Sequence, residues 1–310
     1  FLIRSILVNI TPMNEIAIIG ATASGKSDVA LSLAAKQNGV ILSLDSLSLY
    51  KEVDIASAKP SVEERGEIEH FGIDIINPDE PFNAAMFMDE YDKAKEYAKK
   101  SGKNLIIVGG SSFYLKSMIE GLTDMPPIGE KSRERAKAMT GDLGDAYKYL
   151  QKIDPAFADS ISATDKYRIS RGLEIFFETG DAPSDVFSSM PKKKIDGDIK
   201  ILEIAVDRDV LRGRIRRRVE KMFEAGIIGE AEHIASKYGS EIKPMKSIGL
   251  KEVYGLLEGE YGIEGCKELI TIHTSQLAKR QTTFNKTQIN ADMRGSAEEV
   301  LSAALSLIST

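Results

Sequence analysis

The sequence contains no tryptophan, one cysteine (Cys266) and three histidines among its 310 residues. A single cysteine cannot form an internal disulfide, and so few cysteines and histidines do not supply a Cys/His metal cluster. This composition is typical of a cytoplasmic protein, and we expect that location.

Long apolar runs are also missing. The longest ones, such as residues 16–19 and 105–108, are far shorter than the roughly 20 residues that a membrane-spanning helix needs, so we expect no membrane segment. Residues 1–12 lack the dense basic start and the cleavage-site pattern of a secretory signal. We interpret them as an extension before a natural start at Met13.

The formal net charge of −6 argues against a surface that is basic all over, as a general nucleic-acid coat would be. Local basic patches remain possible. The densest one spans residues 208–221 and contains Arg212, Arg214, Arg216, Arg217 and Arg218. Composition alone leaves a solvated helix face and a functional cluster equally open.

Apolar runs alternate with helical patterns in the first 120 residues. We predict strands at residues 15–20, 40–44, 72–76 and 105–108, and helices at 28–36, 83–100 and 113–120. Strands that are buried on both faces and alternate with helices favour a parallel sheet covered on both sides. The predicted class is therefore α/β.

The pattern changes after Leu122. Pro126 and Pro127 break the chain, residues 131–180 indicate charged helices, and strand character returns at residues 199–206, after which helices dominate. We therefore predict an all-helical lobe at residues 126–189, inserted into an α/β core made of residues 13–125 and 190–310.

A glycine-bearing loop joins the first predicted strand to the first predicted helix. It reads G-A-T-A-S-G-K-S and comprises Gly20, Ala21, Thr22, Ala23, Ser24, Gly25, Lys26 and Ser27. The spacing G-x-x-x-x-G-K-S between a strand and a helix is typical of a P-loop, which binds a diphosphate or polyphosphate. Backbone N–H groups and Lys26 would hold phosphate oxygens, and the Ser27 hydroxyl would ligate Mg²⁺.

Asp45 directly follows the second predicted strand, so it should lie at the same sheet edge as the phosphate loop. Three roles are open for this carboxylate: it could hold Mg²⁺, act as a general base, or cap the turn through Ser46. The P-loop by itself does not choose between a kinase, an ATPase and a transferase with a diphosphate leaving group.

Several motifs together are more specific. D-S-L-S-L-Y-K-E-V-D-I-A-S-A-K-P occupies residues 45–60, and V-G-G-S-S-F-Y-L-K occupies residues 108–116. Further motifs are Y-R-I-S-R at 167–171, S-I-G-L-K-E at 247–252 and Q-L-A-K-R-Q at 276–281. With the P-loop in register, these motifs resemble those of the tRNA dimethylallyltransferases, also called tRNA isopentenyltransferases. The resemblance covers nearly everything after Met13.

The resemblance implies a reaction and its catalytic groups. A dimethylallyl group would pass from dimethylallyl diphosphate to the exocyclic amine of the adenosine just 3′ of the tRNA anticodon, and pyrophosphate would leave. Asp45 matches the family's base, Arg218 matches an arginine on the diphosphate, and Lys26 serves the leaving group. The implied cofactor is Mg²⁺, and we expect a monomer.

The resemblance also implies contacts to the tRNA anticodon stem-loop. Matching positions are Asp45, Ser46, Leu47, Ser48, Ser111, Arg133, Tyr167, Arg168, Ile169, Ser170, Arg171, Lys246, Ser247, Ile248, Gly249, Leu250, Lys251, Lys279, Arg280, Gln281 and Lys286. A base inside a stacked loop must be turned out before it is modified, so an enclosing lobe of helices is expected.

Three other functions would also use a phosphate loop. A small-molecule or nucleoside kinase would use the loop on ATP and Asp45 on an acceptor hydroxyl, but nothing after Gly121 supports it. A transferase acting on free adenine nucleotides would not need the segments around Tyr167 and Lys279. An RNA-binding regulator would use the loop as a nucleotide switch and would tolerate Asp45→Asn.

Overall fold

The computed structural model of the protein describes residues 13–123 and 127–309. These residues belong to two compact units. The larger one contains the chain up to Glu120 and from Ile195 onward, and the smaller one is Gly121–Lys194. The predicted extension before Met13 and the predicted break at Pro126 lie outside the described residues.

The strands are β1 (Glu15–Gly20), β2 (Gly39–Ser43), β3 (His70–Phe71), β4 (Asn104–Gly109), β5 (Leu122–Thr123), β6 (Lys192–Lys193), β7 (Ile199–Ile204) and β8 (Met293–Gly295). The described part of the larger unit contains a six-stranded sheet in the order β3-β2-β4-β1-β7-β8. Every neighbouring pair in this sheet is parallel. A parallel sheet brings the carboxyl ends of its strands to one edge, where ligands of such folds bind.

The helices of the larger unit are α1 (Lys26–Lys36), α2 (Val62–Arg65), α3 (Ala85–Ser101), α4 (Ser112–Glu120), α10 (Arg208–Glu224), α11 (Ile227–Tyr238), α12 (Leu250–Leu257), α13 (Ile263–Gln288) and α14 (Ala297–Ser309). Those of the smaller unit are α5 (Glu130–Met139), α6 (Leu143–Ile153), α7 (Pro155–Asp159), α8 (Lys166–Thr179) and α9 (Pro183–Ser189). In the larger unit, Ile16, Ile18, Leu33 and Val300 share one buried cluster, which joins α1 and α14 to the sheet. The predicted α/β class with a parallel sheet flanked by helices is confirmed.

Two strand predictions need correction. The third strand is His70–Phe71 rather than residues 72–76, because Gly72 (φ 74°) and Asp74 (φ 57°) adopt left-handed backbone that ends the extended chain. Only an isolated bridge between Tyr50 and Ile76 continues the pairing among the described residues. The strand β8 lies in a segment that we predicted to be dominated by helices, because three residues are too few to show a period.

The smaller unit has its own core, which includes Ala146, Leu150, Ile169 and Leu173. Aspartate side chains cap the starts of three of its helices, α6, α7 and α8. Its described residues between 127 and 189 form helices and their connections. The antiparallel pair β5–β6 lies just outside the predicted limits of the lobe.

Candidate active site at the sheet edge

The structure explains why glycine occupies both Gly20 and Gly25 of the phosphate loop. A Cβ atom on Gly20 would lie 2.7 Å from Oγ of Ser24 and 3.0 Å from the carbonyl oxygen of Ile204. Gly25 has φ 92°, a left-handed conformation that favours glycine, directly before the first residue of α1. The loop therefore turns tightly from β1 into α1, as its spacing predicts.

Lys26 is a buried cation in this loop. Its Nζ donates to the carbonyl oxygen of Ala21 at 3.4 Å. Burial lowers the pKa of Lys26 from 10.5 to about 8; the negative charge of Asp45 acts in the opposite direction, and the positive charge of Arg218 lowers the pKa further. A cation that is destabilised in this way gains from a bound anion.

The strand order places Asp45 close to the phosphate loop. Because β4 lies between β1 and β2, the loop after β1 and the turn after β2 flank the end of β4. The ends of β2 and β4 approach closely, since a Cβ on Gly109 would lie 2.3 Å from the carbonyl oxygen of Leu44. The phosphate loop and Asp45 therefore lie near each other at the carboxyl ends of neighbouring strands.

The carboxylate of Asp45 also shapes its own turn. Its Oδ1 accepts a hydrogen bond of 2.9 Å from the backbone N–H of Leu47. The predicted capping contact therefore exists, but its partner is Leu47 and not Ser46, which is the geometry of an Asx turn. Asp45 also lines the cavity described next, so capping does not remove it from the site.

A cavity of about 460 Å³ lies at this edge of the sheet. The predicted site residues that line it are Thr22, Lys26, Ser27, Asp45, Ser46, Leu47, Ser48, Ser111, Arg218, Lys246, Ser247, Ile248 and Gln281. They come from six separate stretches of the larger unit. Folding thus brings the phosphate loop, the carboxylate and Arg218 into one cavity.

The apolar part of this cavity was not predicted. Ala30, Ile41, Ile73 and Val108 line it next to the polar groups. Alternation along β2 was the available signal, because Ile41, Ser43 and Asp45 are two residues apart and all three line the cavity. One face of β2 thus changes from apolar to acidic towards the carboxyl end of the strand.

The arginine cluster divides along α10. Arg218 lines the cavity, and burial lowers the pKa of its guanidinium while Asp45 acts in the opposite direction. Arg214, one turn earlier on the same side of the helix, donates to the carbonyl oxygen of Ser24 at 2.9 Å. Arg216 and Arg217 are exposed, as predicted for a solvated face.

The D-S-…-A-K-P segment is held in place by charged side chains that sequence reasoning did not single out. One carboxylate, that of Glu230, accepts the backbone N–H groups of Asp54, Ile55 and Ala56 at 2.7 to 2.9 Å. The side chain of Lys59 is 1% exposed, and its Nζ binds Asp54 at 2.6 Å, Asp74 at 2.5 Å and the carbonyl oxygen of Tyr50 at 2.9 Å. Lys59 of the motif thus fixes the wall of the cavity.

The remaining predicted RNA contacts lie elsewhere on the two units. Lys251, Lys279, Arg280 and Lys286 are exposed on the larger unit, and Arg133 and Arg168 on the smaller one. Tyr167 is 79% exposed, at the start of α8. Two side chains are partly exposed: Ser170, and Arg171, which pairs with Glu174 at 3.0 Å. An exposed aromatic ring beside basic side chains is suited to stacking on an RNA base.

Three predicted RNA contacts are corrected by burial. The side chains of Ile169 and Leu250 are 0% exposed, because each fills a helix face that packs into its unit. Gly249 is buried, and its backbone N–H donates to the carboxylate of Glu252 at 2.7 Å. A shared motif also contains residues that only support its local structure, and Ile169, Gly249 and Leu250 are of this kind.

Ser27 and Asp45 suit a Mg²⁺ ion by their chemistry, since a hydroxyl and a carboxylate are hard oxygen donors and both line the cavity. Among the described residues there is no cluster of three or more His, Cys, Asp or Glu side chains that could hold a metal. A metal here would therefore depend on ligand oxygens as well. In the described parts of the chain, we also find no helix with the length and apolar character needed to cross a bilayer.

Comparisons with known proteins give the family. The family model described as IPP transferase matches residues 48–288. The chain belongs to this family. It is 47% identical over 293 residues to the tRNA dimethylallyltransferase of Nautilia profundicola, covering 94% of this chain and 99% of that protein. It is 46% identical over 280 residues to that of Wolinella succinogenes, covering 90% and 93%.

Solved structures of this family share the fold. A tRNA delta(2)-isopentenylpyrophosphate transferase from Staphylococcus epidermidis superposes with a TM-score of 0.68 at 28% identity, over 96% of this chain and 99% of that one. A eukaryotic dimethylallyltransferase acting on tRNA superposes with a TM-score of 0.82 at 26% identity, over 96% and 80%. The resemblance derived from the motifs is therefore confirmed.

Proposed function

We propose that the protein transfers a dimethylallyl group from dimethylallyl diphosphate to the exocyclic N6 amine of the adenosine 3′-adjacent to the tRNA anticodon. The observation that carries the proposal is the meeting of Lys26, Asp45 and Arg218 in one cavity beside an apolar wall. Relatives that cover nearly the whole chain bear the name of this activity.

The phosphate loop and Arg218 bind the leaving group. As the bond between C1 of the dimethylallyl group and the diphosphate oxygen breaks, its electron pair goes to that oxygen. Backbone N–H groups of the loop, Lys26 and Arg218 then stabilise the charge that develops there. Ser27 would hold a Mg²⁺ ion, which when bound would neutralise part of the same charge.

Asp45 accepts the proton of the amine. The N6 amine of adenine is a poor nucleophile, and it becomes positively charged as the carbon–nitrogen bond forms. A nearby carboxylate stabilises that charge and takes up the proton. Asp45 is ready for this role, because the hydrogen bond from Leu47 fixes one of its oxygens at the cavity wall.

The apolar wall binds the five-carbon chain. Ala30, Ile41 and Val108 are each less than 9% exposed, and all three line the cavity. Their surface suits an isoprenoid and disfavours water. Exclusion of water protects the reactive allylic carbon from hydrolysis.

The RNA contacts combine basic and aromatic side chains. Lys246, Ser247 and Ile248 line the cavity, and Lys251, Lys279, Arg280 and Lys286 are exposed on the same unit. We propose that the helical lobe at residues 126–189 contributes Arg133, Tyr167 and Arg168. Phosphate contacts from the cations and stacking on Tyr167 would hold an anticodon loop whose target base is turned out.

Nothing in the comparisons or in the described residues favours the kinase alternative. The monomeric state and the cytoplasmic location stay predictions. The proposed donor and the position of the modified adenosine can both be tested in one reaction, and the use of Mg²⁺ is tested by repeating that reaction with EDTA in place of Mg²⁺.

The test is mass spectrometry of tRNA after incubation with dimethylallyl diphosphate and Mg²⁺. We expect the mass gain of one dimethylallyl group on the adenosine 3′-adjacent to the anticodon. A parallel reaction with ATP in place of the donor should give no change. The proposal would be contradicted if the protein bound tRNA but left this adenosine unmodified, or if its reaction depended strictly on ATP.

A further inference from the structure

The side chain of Gln281 connects two loops of the active site. Its Oε1 accepts the backbone N–H of Thr22 at 2.8 Å, and its Nε2 donates to the carbonyl oxygen of Gly110 at 2.9 Å. Thr22 belongs to the phosphate loop after β1, and Gly110 follows β4. The donor and the acceptor of one amide thus each have a complementary backbone partner.

We propose that Gln281 is a positioning residue for the diphosphate donor, rather than the RNA contact that its motif predicts. The inference rests on the proposed function, because it concerns the site where the diphosphate binds. In this role Gln281 fixes the first half of the phosphate loop against the end of β4. The loop then presents its N–H groups in a set direction before the ligand arrives.

The other contacts of the loop hold its carbonyl oxygens, whereas this clamp, which consists of the two hydrogen bonds of Gln281, holds an N–H group of the loop. The carbonyl oxygen of Ala21 accepts the backbone N–H of Ser24 at 3.1 Å and Nζ of Lys26 at 3.4 Å. Further along the loop, Arg214 donates to the carbonyl oxygen of Ser24 at 2.9 Å. Gln281 binds the N–H of Thr22, between these two points, and so orients the peptide that joins Ala21 to Thr22.

Gln281 lies on α13 directly after two exposed cations. The preceding residues Lys279 and Arg280 are exposed and are predicted RNA contacts, whereas Gln281 lies in the cavity wall. One short stretch of α13 thus holds the phosphate loop and presents cations to solvent. Arg280 is therefore a matched control, since it is adjacent in sequence, is exposed and does not line the cavity.

Gln281→Met and Arg280→Gln separate the two roles. We would measure the Kd for pyrophosphate with Mg²⁺ by calorimetry, and the KM values for donor and for tRNA. Because Gln281→Met removes both hydrogen bonds at nearly constant volume, we expect about tenfold weaker pyrophosphate binding and a similarly raised donor KM, with the tRNA KM within about twofold. Arg280→Gln should leave pyrophosphate binding unchanged and raise the tRNA KM.

Gly110→Ala tests the clamp without changing Gln281. The added Cβ would lie 2.5 Å from Nε2 of Gln281 and should displace the amide. We expect Gly110→Ala to weaken pyrophosphate binding in the wild-type background and to weaken it much less in a Gln281→Ala background, where no amide remains to be displaced. Non-additivity of this kind would not arise from two independent structural defects.

Different results would overturn different conclusions. Normal pyrophosphate binding by Gln281→Met together with a raised tRNA KM would restore the role of RNA contact. Equal effects of Gly110→Ala in both backgrounds would also overturn the clamp. If the wild-type protein bound no pyrophosphate, the diphosphate site itself would be refuted, and this inference with it.

Discussion

Arg214 donates a hydrogen bond of 2.9 Å to the carbonyl oxygen of Ser24, in the middle of the phosphate loop. One helical turn later, Arg218 lines the cavity that the loop borders. Two arginines four residues apart on α10 thus act on the same loop in different ways. Arg214 supports its backbone, and Arg218 supplies charge to the site.

This difference predicts different losses on substitution. Arg214→Met removes a charge-assisted hydrogen bond to the loop, so we expect pyrophosphate to bind about tenfold more weakly. Arg218→Met removes a cation next to the ligand, and we expect a loss of about a hundredfold. The control is Arg217→Met, an exposed residue, which should change the Kd less than twofold. Calorimetry would measure the Kd for pyrophosphate of each variant. Equal losses of affinity in all three variants would contradict the prediction and indicate a long-range charge effect.

Asp45→Asn should affect turnover far more than binding. A general base contributes about 10²- to 10⁴-fold, so we expect kcat in single-turnover reactions to fall within that range. The tRNA Kd should stay within about tenfold, because the amide keeps the shape of the side chain and can still accept the N–H of Leu47. Asp79→Asn, an exposed acidic residue that does not line the cavity, serves as the control. A collapse of tRNA binding in Asp45→Asn would mean that Asp45 mainly holds the RNA.

The pKa of Lys26 predicts a pH dependence of anion binding. In the free protein this pKa is about 8, so Lys26 loses its positive charge as the pH rises through that value. Since pyrophosphate favours the charged form, its affinity should decrease above pH 8, by at most about tenfold per pH unit. Binding near pH 8 should be accompanied by proton uptake.

Lys26→Arg provides the control, because arginine stays charged throughout this range. The ratio of wild-type to Lys26→Arg affinity cancels the titration of pyrophosphate itself, and we expect it to fall between pH 7.5 and 9.5. A constant ratio would contradict the prediction. The same pKa also affects the free energy of unfolding. Because the pKa of Lys26 in the folded state is below 10.5, its contribution to stability decreases as the pH falls from 10.5 to about 8, and it is constant below that value.

Lys59→Met should destabilise the fold. The ammonium group of Lys59 is almost fully buried, and it donates to the carbonyl oxygen of Tyr50 and pairs with Asp54 and Asp74. The two carboxylates are 68% and 38% exposed, so water solvates them when Lys59 is removed, and the expected loss comes mainly from the hydrogen bond to Tyr50, about 1 to 2 kcal/mol in the free energy of unfolding. Urea denaturation would measure this, with the exposed Lys51→Met as control. A change below about 1 kcal/mol would show that solvent or neighbouring groups compensate.

Much of the site could be predicted from the sequence. The strand–loop–helix context of residues 20–27, the carboxylate after the second strand and the four-residue spacing of Arg214 and Arg218 are local patterns. Each can be recognised within a few residues from hydrophobic periodicity or from the residues that favour turns. The same local rules failed at β8 and at residues 72–76, where a strand was too short or was ended by left-handed backbone.

Local sequence patterns were enough to identify the chemical groups of this protein, namely a phosphate loop with Lys26 and an acidic residue at a strand end, and to indicate its family. Which of these groups meet could be seen only in the folded chain. Folding paired Gln281 with Thr22 across 259 positions of sequence, buried Ile169 and Leu250, and surrounded Lys59 with carboxylates. Such contacts depend on strand order and helix packing, which bring distant residues together and which no local pattern encodes.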